Sequence, residues 1–165
     1  MTILSEKTTE FISNSADQTR RIGMRLGALC ETSTLICLSG DLGSGKTTLT
    51  QGITSGWGSS DPVSSPTFVL INEYYKLDGE VIYHLDAYRV ANSFEAEELD
   101  LDLMLDSGVL VIEWAERIKD VLPESALWIE CEYISDDKRR FVFKPEGDHY
   151  ESLVDEFRKR SFGGR

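Results

Sequence analysis

The stretch Leu35-Ile36-Cys37-Leu38-Ser39-Gly40-Asp41-Leu42-Gly43-Ser44-Gly45-Lys46-Thr47-Thr48 decides how the chain is read. Four apolar residues make a buried strand. Glycines then punctuate a loop, and a helix is expected from about Gly45 to Ser55. Residues 40–47 match G-x-x-x-x-G-K-S/T without a mismatch, in the strand-to-helix setting the motif requires. Each part has a mechanical reason. Glycines adopt torsions that turn successive N–H groups toward one point. The helix adds its positive N-terminal end. Lys46 supplies a point charge for β and γ phosphates. Thr47 offers a hydroxyl to Mg²⁺, which prefers oxygen ligands. Gly43, Ser44, Gly45, Lys46, Thr47 and Thr48 are therefore the expected binding residues for a nucleoside triphosphate with magnesium.

A phosphate loop of this kind needs a second acid. Leu110-Val111-Ile112-Glu113 is an apolar run closed by a carboxylate, and its place at a strand end puts Glu113 beside the loop. Thr47 and Glu113 are the expected magnesium ligands. The Asn-Lys-x-Asp reader of guanine is absent from the sequence, which favours ATP over GTP.

The remaining segments describe an α/β fold. A short strand runs through Thr9 to Ile12. Ser15 reads as an N-cap with Gln18 as its capping-box partner, ahead of Ile22, Leu26 and Leu29 at helical spacing. FVLINEYY and EVIYHLD, separated by Leu77-Asp78-Gly79, suggest a hairpin. A helix with acidic faces covers about Ser93 to Leu105. VLVIEW, residues 109–114, suits a central parallel strand buried on both faces. LWIECEY and RRFVFKP alternate and suggest an antiparallel pair, and a charged helix covers Asp148 to Lys159. The expected architecture is a P-loop NTPase fold over residues 1–165. Its central strands are parallel, its flanking strands antiparallel, and helices cover both faces.

Composition narrows the function. Seventeen basic and twenty-nine acidic residues leave a formal charge of −12. Such a chain repels nucleic-acid phosphates, so direct binding of DNA or tRNA is not expected. Three widely spaced cysteines, without a CxxC pair, fit small apolar roles in a reducing compartment rather than a disulfide framework or a zinc site. No signal-peptide pattern and no run near the ~20 apolar residues of a membrane span occurs. The expectation is a cytoplasmic protein.

Two further stretches carry chemistry. Ser65-Pro66-Thr67-Phe68 lies where P-loop proteins place a threonine that senses the γ-phosphate, which makes Thr67 a candidate nucleotide contact. Tyr83-His84-Leu85-Asp86-Ala87-Tyr88-Arg89 closes a strand with an acid. Alternation sets His84 and Asp86 on one face. His84 reads as a hydrogen-bonded structural residue rather than a proton carrier, and Asp86 is a candidate for orienting water during hydrolysis, with Lys46 and Glu113 as its catalytic companions.

Taken together, GDLGSGKTT, SSPTFVLINEY, YHLDAYR, EELDL and VLVIEWAE resemble the TsaE (YjeE) family of small P-loop ATPases, in that family's order and spacing, over roughly Ser33 to Glu116. The resemblance implies an ATPase needed to make N6-threonylcarbamoyladenosine at position 37 of tRNAs reading codons that start with A. It implies action with the TsaD–TsaB pair, so that tRNA is met only through the complex. It further implies that Asp86 is the acid needed for hydrolysis, Thr67 the switch threonine and Trp114 the tryptophan beside the strand-end acid. Arg140 would match a late arginine near the nucleotide, and Ser15 would lie near the adenine. Two other readings stay open on the sequence: a small-molecule kinase, and a nucleotide-gated binding switch without productive turnover.

Overall fold

The computed structural model describes residues 7–65 and 70–163. Among these residues seven strands form one sheet: β1 (Thr9–Ser13), β2 (Leu35–Ser39), β3 (Ile71–Tyr75), β4 (Val81–Asp86), β5 (Gly108–Glu113), β6 (Ala126–Tyr133) and β7 (Arg139–Glu146). Their spatial order is β1-β7-β6-β2-β5-β4-β3. β6, β2, β5 and β4 run parallel through the centre. The flanking pairs β1–β7 and β7–β6 on one side and β3–β4 on the other are antiparallel. Among the described residues, five α-helices flank the sheet: α1 (Ala16–Gly27), α2 (Lys46–Trp57), α3 (Ser93–Glu97), α4 (Leu101–Ser107) and α5 (Asp148–Arg158).

The central strands follow from their composition. Every residue of β5 is buried, as is Leu35–Leu38 of β2. Strands covered on both faces read as continuous apolar runs, whereas the edge strand β1 alternates buried and exposed positions. Phe11, Phe143 and Phe157 meet with ring centroids 5.0–5.1 Å apart and fasten α5 to the β1–β7 edge.

α1 and α2 pack along a seam of glycines. An added Cβ at Gly52 would lie 2.2 Å from the carbonyl oxygen of Arg20, and one at Gly23 would lie 2.5 Å from that of Leu49. Backbones this close leave no room for a methyl group. Contacts advance along both helices together, Gly23 meeting Leu49 and Gly27 meeting Ile53, so the helices run parallel and present their N-termini at the same end. The expected N-cap is present. Ser15 Oγ accepts from Gln18 N at 3.1 Å, and Gln18 Oε1 accepts from Asn14 N at 2.7 Å.

Two expectations about elements need correction, and a third is extended. The helix expected over Ser93–Leu105 is two short helices, because Asp100 takes a left-handed conformation (φ 58°) and interrupts the ladder. The strand expected to include Trp114 stops at Glu113, and Trp114 itself sits at φ 58°. β6 and β7 form the expected antiparallel pair, and β6 also pairs in parallel with β2. The start of FVLINEYY lies outside the described residues, as does Thr67; from Ile71 onward the hairpin with β4 is as expected.

Candidate functional site

The parallel strands converge on one end of the sheet. Register places Glu113 of β5 beside Leu38 of β2 on one side and beside Asp86 of β4 on the other. The C-terminal ends of parallel strands are where α/β sheets open a crevice. Here they open a cleft of about 610 Å³ lined by the glycine loop, the N-terminus of α1 and the tip of the β6–β7 hairpin.

The loop needs its glycines at two points in particular. Gly40 lies at φ 137°, and a Cβ there would meet the Cys131 carbonyl oxygen at 2.1 Å. Gly45 lies at φ 102° and caps α2 without a side-chain bond, so the first N–H groups of the helix remain directed into the cleft end. An anion can be held on such groups together with the helix dipole.

Lys46 is buried within this loop. Its Nζ donates to the carbonyls of Gly40 (2.5 Å) and Asp41 (2.9 Å) and to Ser44 Oγ (3.2 Å). It also stands 4.1 Å above the ring of Trp114, a cation–π contact. The left-handed backbone at Trp114 sets that ring in the cleft wall, packed at a tilt against Tyr88 with centroids 5.0 Å apart. Burial pushes the Lys46 ammonium below its usual range, against the pull of Glu113, Glu116 and Asp41.

Thr47 and Glu113 meet across the floor. Thr47 Oγ1 donates to Glu113 Oε1 at 2.9 Å. The other carboxylate oxygen, Oε2, is bonded to His84 Nε2. His84 is fully buried and Glu113 nearly so. A hydroxyl and a carboxylate side by side at the mouth of a phosphate-sized cradle suit Mg²⁺, which takes one or two protein oxygens and draws its remaining ligands from phosphate and water. His84 is thus hydrogen-bonded as expected, and its partner is the candidate metal ligand itself.

Asp86 lines the cleft next to Glu113. Its Oδ1 accepts from Tyr88 N at 2.9 Å and caps the 3₁₀ turn of Ala87–Arg89. That bond fixes the carboxylate and sets Tyr88 and Arg89 along the cleft. Ser15 lines the opposite end with Ala16 and Thr19, brought there by the parallel packing of α1 on α2.

Arg140 is a correction. Its guanidinium pairs with Glu10 at 3.0 Å and Glu132 at 3.1 Å on the strand surface, and it does not line the cleft. Its neighbour Arg139 does. Arg139 Nε donates to Gly43 O at 2.8 Å, and its Nη1 holds the carbonyls of Ser135, Asp136 and Lys138 in the hairpin turn. One step along a strand reverses the face, so an assignment off by one residue moves the arginine out of the site. Arg139, Tyr88 and Thr19 were not singled out by the sequence as site residues. The doublet Arg139-Arg140 ahead of a strand was the only signal for the first.

Comparison with known proteins adds an independent line. The family model described as threonylcarbamoyl adenosine biosynthesis protein TsaE matches residues 13–141. The tRNA threonylcarbamoyladenosine biosynthesis protein TsaE of Bacillus subtilis (strain 168) is 39% identical over 142 residues, covering 85% of this chain and 87% of that one. Its counterpart in Streptomyces coelicolor is 44% identical over 110 residues, 66% of this chain and 74% of the relative. The crystal structure of YdiB from Bacillus subtilis superposes with a TM-score of 0.80 at 32% identity, covering 93% of this chain and 96% of that one.

Proposed function

The chain belongs to the TsaE family of tRNA threonylcarbamoyladenosine biosynthesis proteins, and on that premise we propose that it binds and hydrolyses Mg·ATP in support of that modification at position 37 of tRNA. It acts through TsaD and TsaB rather than on tRNA itself. The observation that carries the reading is the meeting of Thr47 and Glu113 at the N-terminus of α2, beside a buried lysine.

Each residue has a task. The backbone of Gly43–Thr48 receives the phosphates. Lys46 exchanges the loop carbonyls it now holds for β and γ phosphate oxygens, a stronger charge-assisted pairing. Thr47 and Glu113 hold Mg²⁺, which when bound offsets charge developing on the transferred phosphoryl group. Asp86, fixed by its cap to Tyr88, orients the attacking water. Ser15 and Arg139 bound the far end of the cleft. Thr67, outside the described residues, is assigned as the γ-phosphate sensor on its motif alone.

A formal charge of −12 supports contact with tRNA through partners rather than directly. It fits an accessory protein in a cytoplasmic assembly, and no helix among the described residues is long and apolar enough to cross a membrane. Phosphate release measured alone and with TsaD and TsaB tests the reading. The isolated chain should turn over slowly and the assembly faster, by a factor that can reach ~10³ where a partner supplies transition-state charge. Asp86→Asn keeps the cap and removes the charge, so it should bind ATP yet lose the stimulated rate. Parent-like turnover by Asp86→Asn in the assembly would remove Asp86 from the mechanism.

A further inference from the structure

Glu113 is the start of a buried chain of polar groups that the hydrolytic reading does not use. His84 occupies Glu113 Oε2 from β4. On the far side of the ring, Tyr74 OH lies 3.0 Å from His84 Nδ1. The same hydroxyl lies 3.3 Å from the carbonyl oxygen of Ser64, which also receives Asn72 Nδ2 at 3.2 Å. Tyr74 and His84 are diagonal neighbours on the β3–β4 hairpin, since Tyr74 faces Ile82 in the register. Both rings are buried, Tyr74 at 4% exposure and His84 at 0%. Ser64 ends far from Glu113 in sequence, yet the next residue, Ser65, lines the cleft.

A buried histidine bonded at both nitrogens can be purely structural. Two features go further here. The chain begins on a candidate metal ligand rather than on a core carbonyl, and it ends on the backbone of a loop that re-enters the same cleft. It is therefore a path of polar contacts from the floor of the site to its rim, passing through the sheet edge, in which the single Tyr74 hydroxyl proton serves either His84 Nδ1 or Ser64 O.

We propose that His84 is a positioning residue that locks Glu113 with Oε1 toward Thr47, and that the chain Glu113–His84–Tyr74 ties the setting of Glu113 to the loop over residues 58–65. The proposal rests on the Mg·ATP reading above. When Glu113 exchanges its bond from Thr47 for Mg²⁺, any shift of its carboxylate is passed to the imidazole and from there to Tyr74 and Ser64. Tyr74 and His84 are held in dry surroundings with few alternative partners, so a displacement at Glu113 is handed through the two rings to the exposed backbone at Ser64 rather than taken up by water around them. The loop around Ser64 thereby responds to metal and nucleotide through this chain, in addition to the contact that Ser65 makes with the cleft.

Three variants separate the parts. His84→Leu removes the lock, His84→Gln returns a donor near the Nε2 position, and Tyr74→Phe cuts the link to Ser64 while leaving the bond of His84 to Glu113. Mg²⁺ dependence of ATP binding is read by calorimetry, and amide exchange of residues 58–65 by mass spectrometry. His84→Leu should weaken apparent Mg²⁺ affinity by roughly ten- to hundredfold, the usual effect of losing a partner of a metal ligand, with most of it restored in His84→Gln. In the parent, Mg·ATP should slow exchange in 58–65 several-fold. Tyr74→Phe should bind Mg·ATP yet show no such slowing. If His84→Leu proves unfolded, Tyr74→Phe alone decides the coupling. A parent whose loop ignores Mg·ATP, or a Tyr74→Phe loop that responds like the parent's, overturns the proposal. A parent that binds no Mg·ATP overturns the functional reading first, and the proposal with it.

Discussion

Replacing Gly52 with alanine sets two effects of opposite sign against each other. Alanine in a helix interior is ordinarily favoured over glycine by about 1 kcal/mol. Gly52 is interior to α2, so propensity alone predicts stabilisation. The structure predicts the reverse. The new Cβ would fall 2.2 Å from Arg20 O and 2.9 Å from Arg20 Cα. An unstrained carbon–oxygen approach is about 3.3 Å, so α1 and α2 must part by about 1 Å at this level. The atoms struck are backbone, which cannot rotate aside, so the overpacking cost lies near the upper part of its usual range, about 3 kcal/mol. The net expectation is destabilisation by about 2 kcal/mol, a fall in Tm of roughly 4–8 °C for a chain of this size. Calorimetric unfolding of Gly52→Ala beside Ser55→Ala, an exposed site on the same helix, provides the comparison. Because the seam also sets Ser15 against the glycine loop, ATP affinity should fall with Gly52→Ala and not with Ser55→Ala. A Gly52→Ala protein as stable as the parent or more so would refute the packing argument.

Arg139→Ala should weaken ATP binding roughly tenfold, the value of about one charge-assisted hydrogen bond lost from the loop, while Arg140→Ala stays within about twofold; equal losses in calorimetry would contradict the face assignment. Cys30, Cys37 and Cys131 are free and buried, and burial raises all three thiols, Cys30 to about 12. The thiolate is the reactive form, so at pH 8 the folded protein should resist iodoacetamide while the unfolded chain is labelled at all three; rapid native labelling at any of them, seen by mass spectrometry, would contradict this. In gel-shift titrations at physiological salt the isolated chain should leave tRNA unshifted at micromolar concentration, given its charge of −12; a submicromolar complex formed without partners would count against action through TsaD and TsaB.

What could be read from the sequence follows from where the physics is local. The glycine loop is legible because strand, turn torsions and helix start are contiguous, and Glu113 is legible because a buried strand must end where its carboxylate appears. The capping of α1 by Ser15 and Gln18 is equally local. Arg139 was missed because the choice between it and Arg140 depends on strand parity, which neighbouring residues do not reveal. Trp114 was placed in a strand by its apolar neighbours, although its backbone is left-handed. The interruption at Asp100 lies within Glu97–Leu101, where helical periodicity continues across the break and conceals it. The glycine seam was missed, although Gly23 and Gly27, and Gly52 and Gly56, each recur at four-residue spacing. Only the packing of α1 on α2 shows why those positions lack side chains.

The central claim is that Lys46, Thr47 and Glu113 form a Mg·ATP site, and calorimetric titration of Mg·ATP into the parent and into Lys46→Ala tests it most directly. Lys46 would give charge-assisted bonds to two phosphates, at about 1.5 kcal/mol or more each. The parent should bind a single Mg·ATP, and a folded Lys46→Ala should bind it roughly a hundredfold more weakly. Equal affinity in the two proteins, or no binding by the parent, would contradict the account.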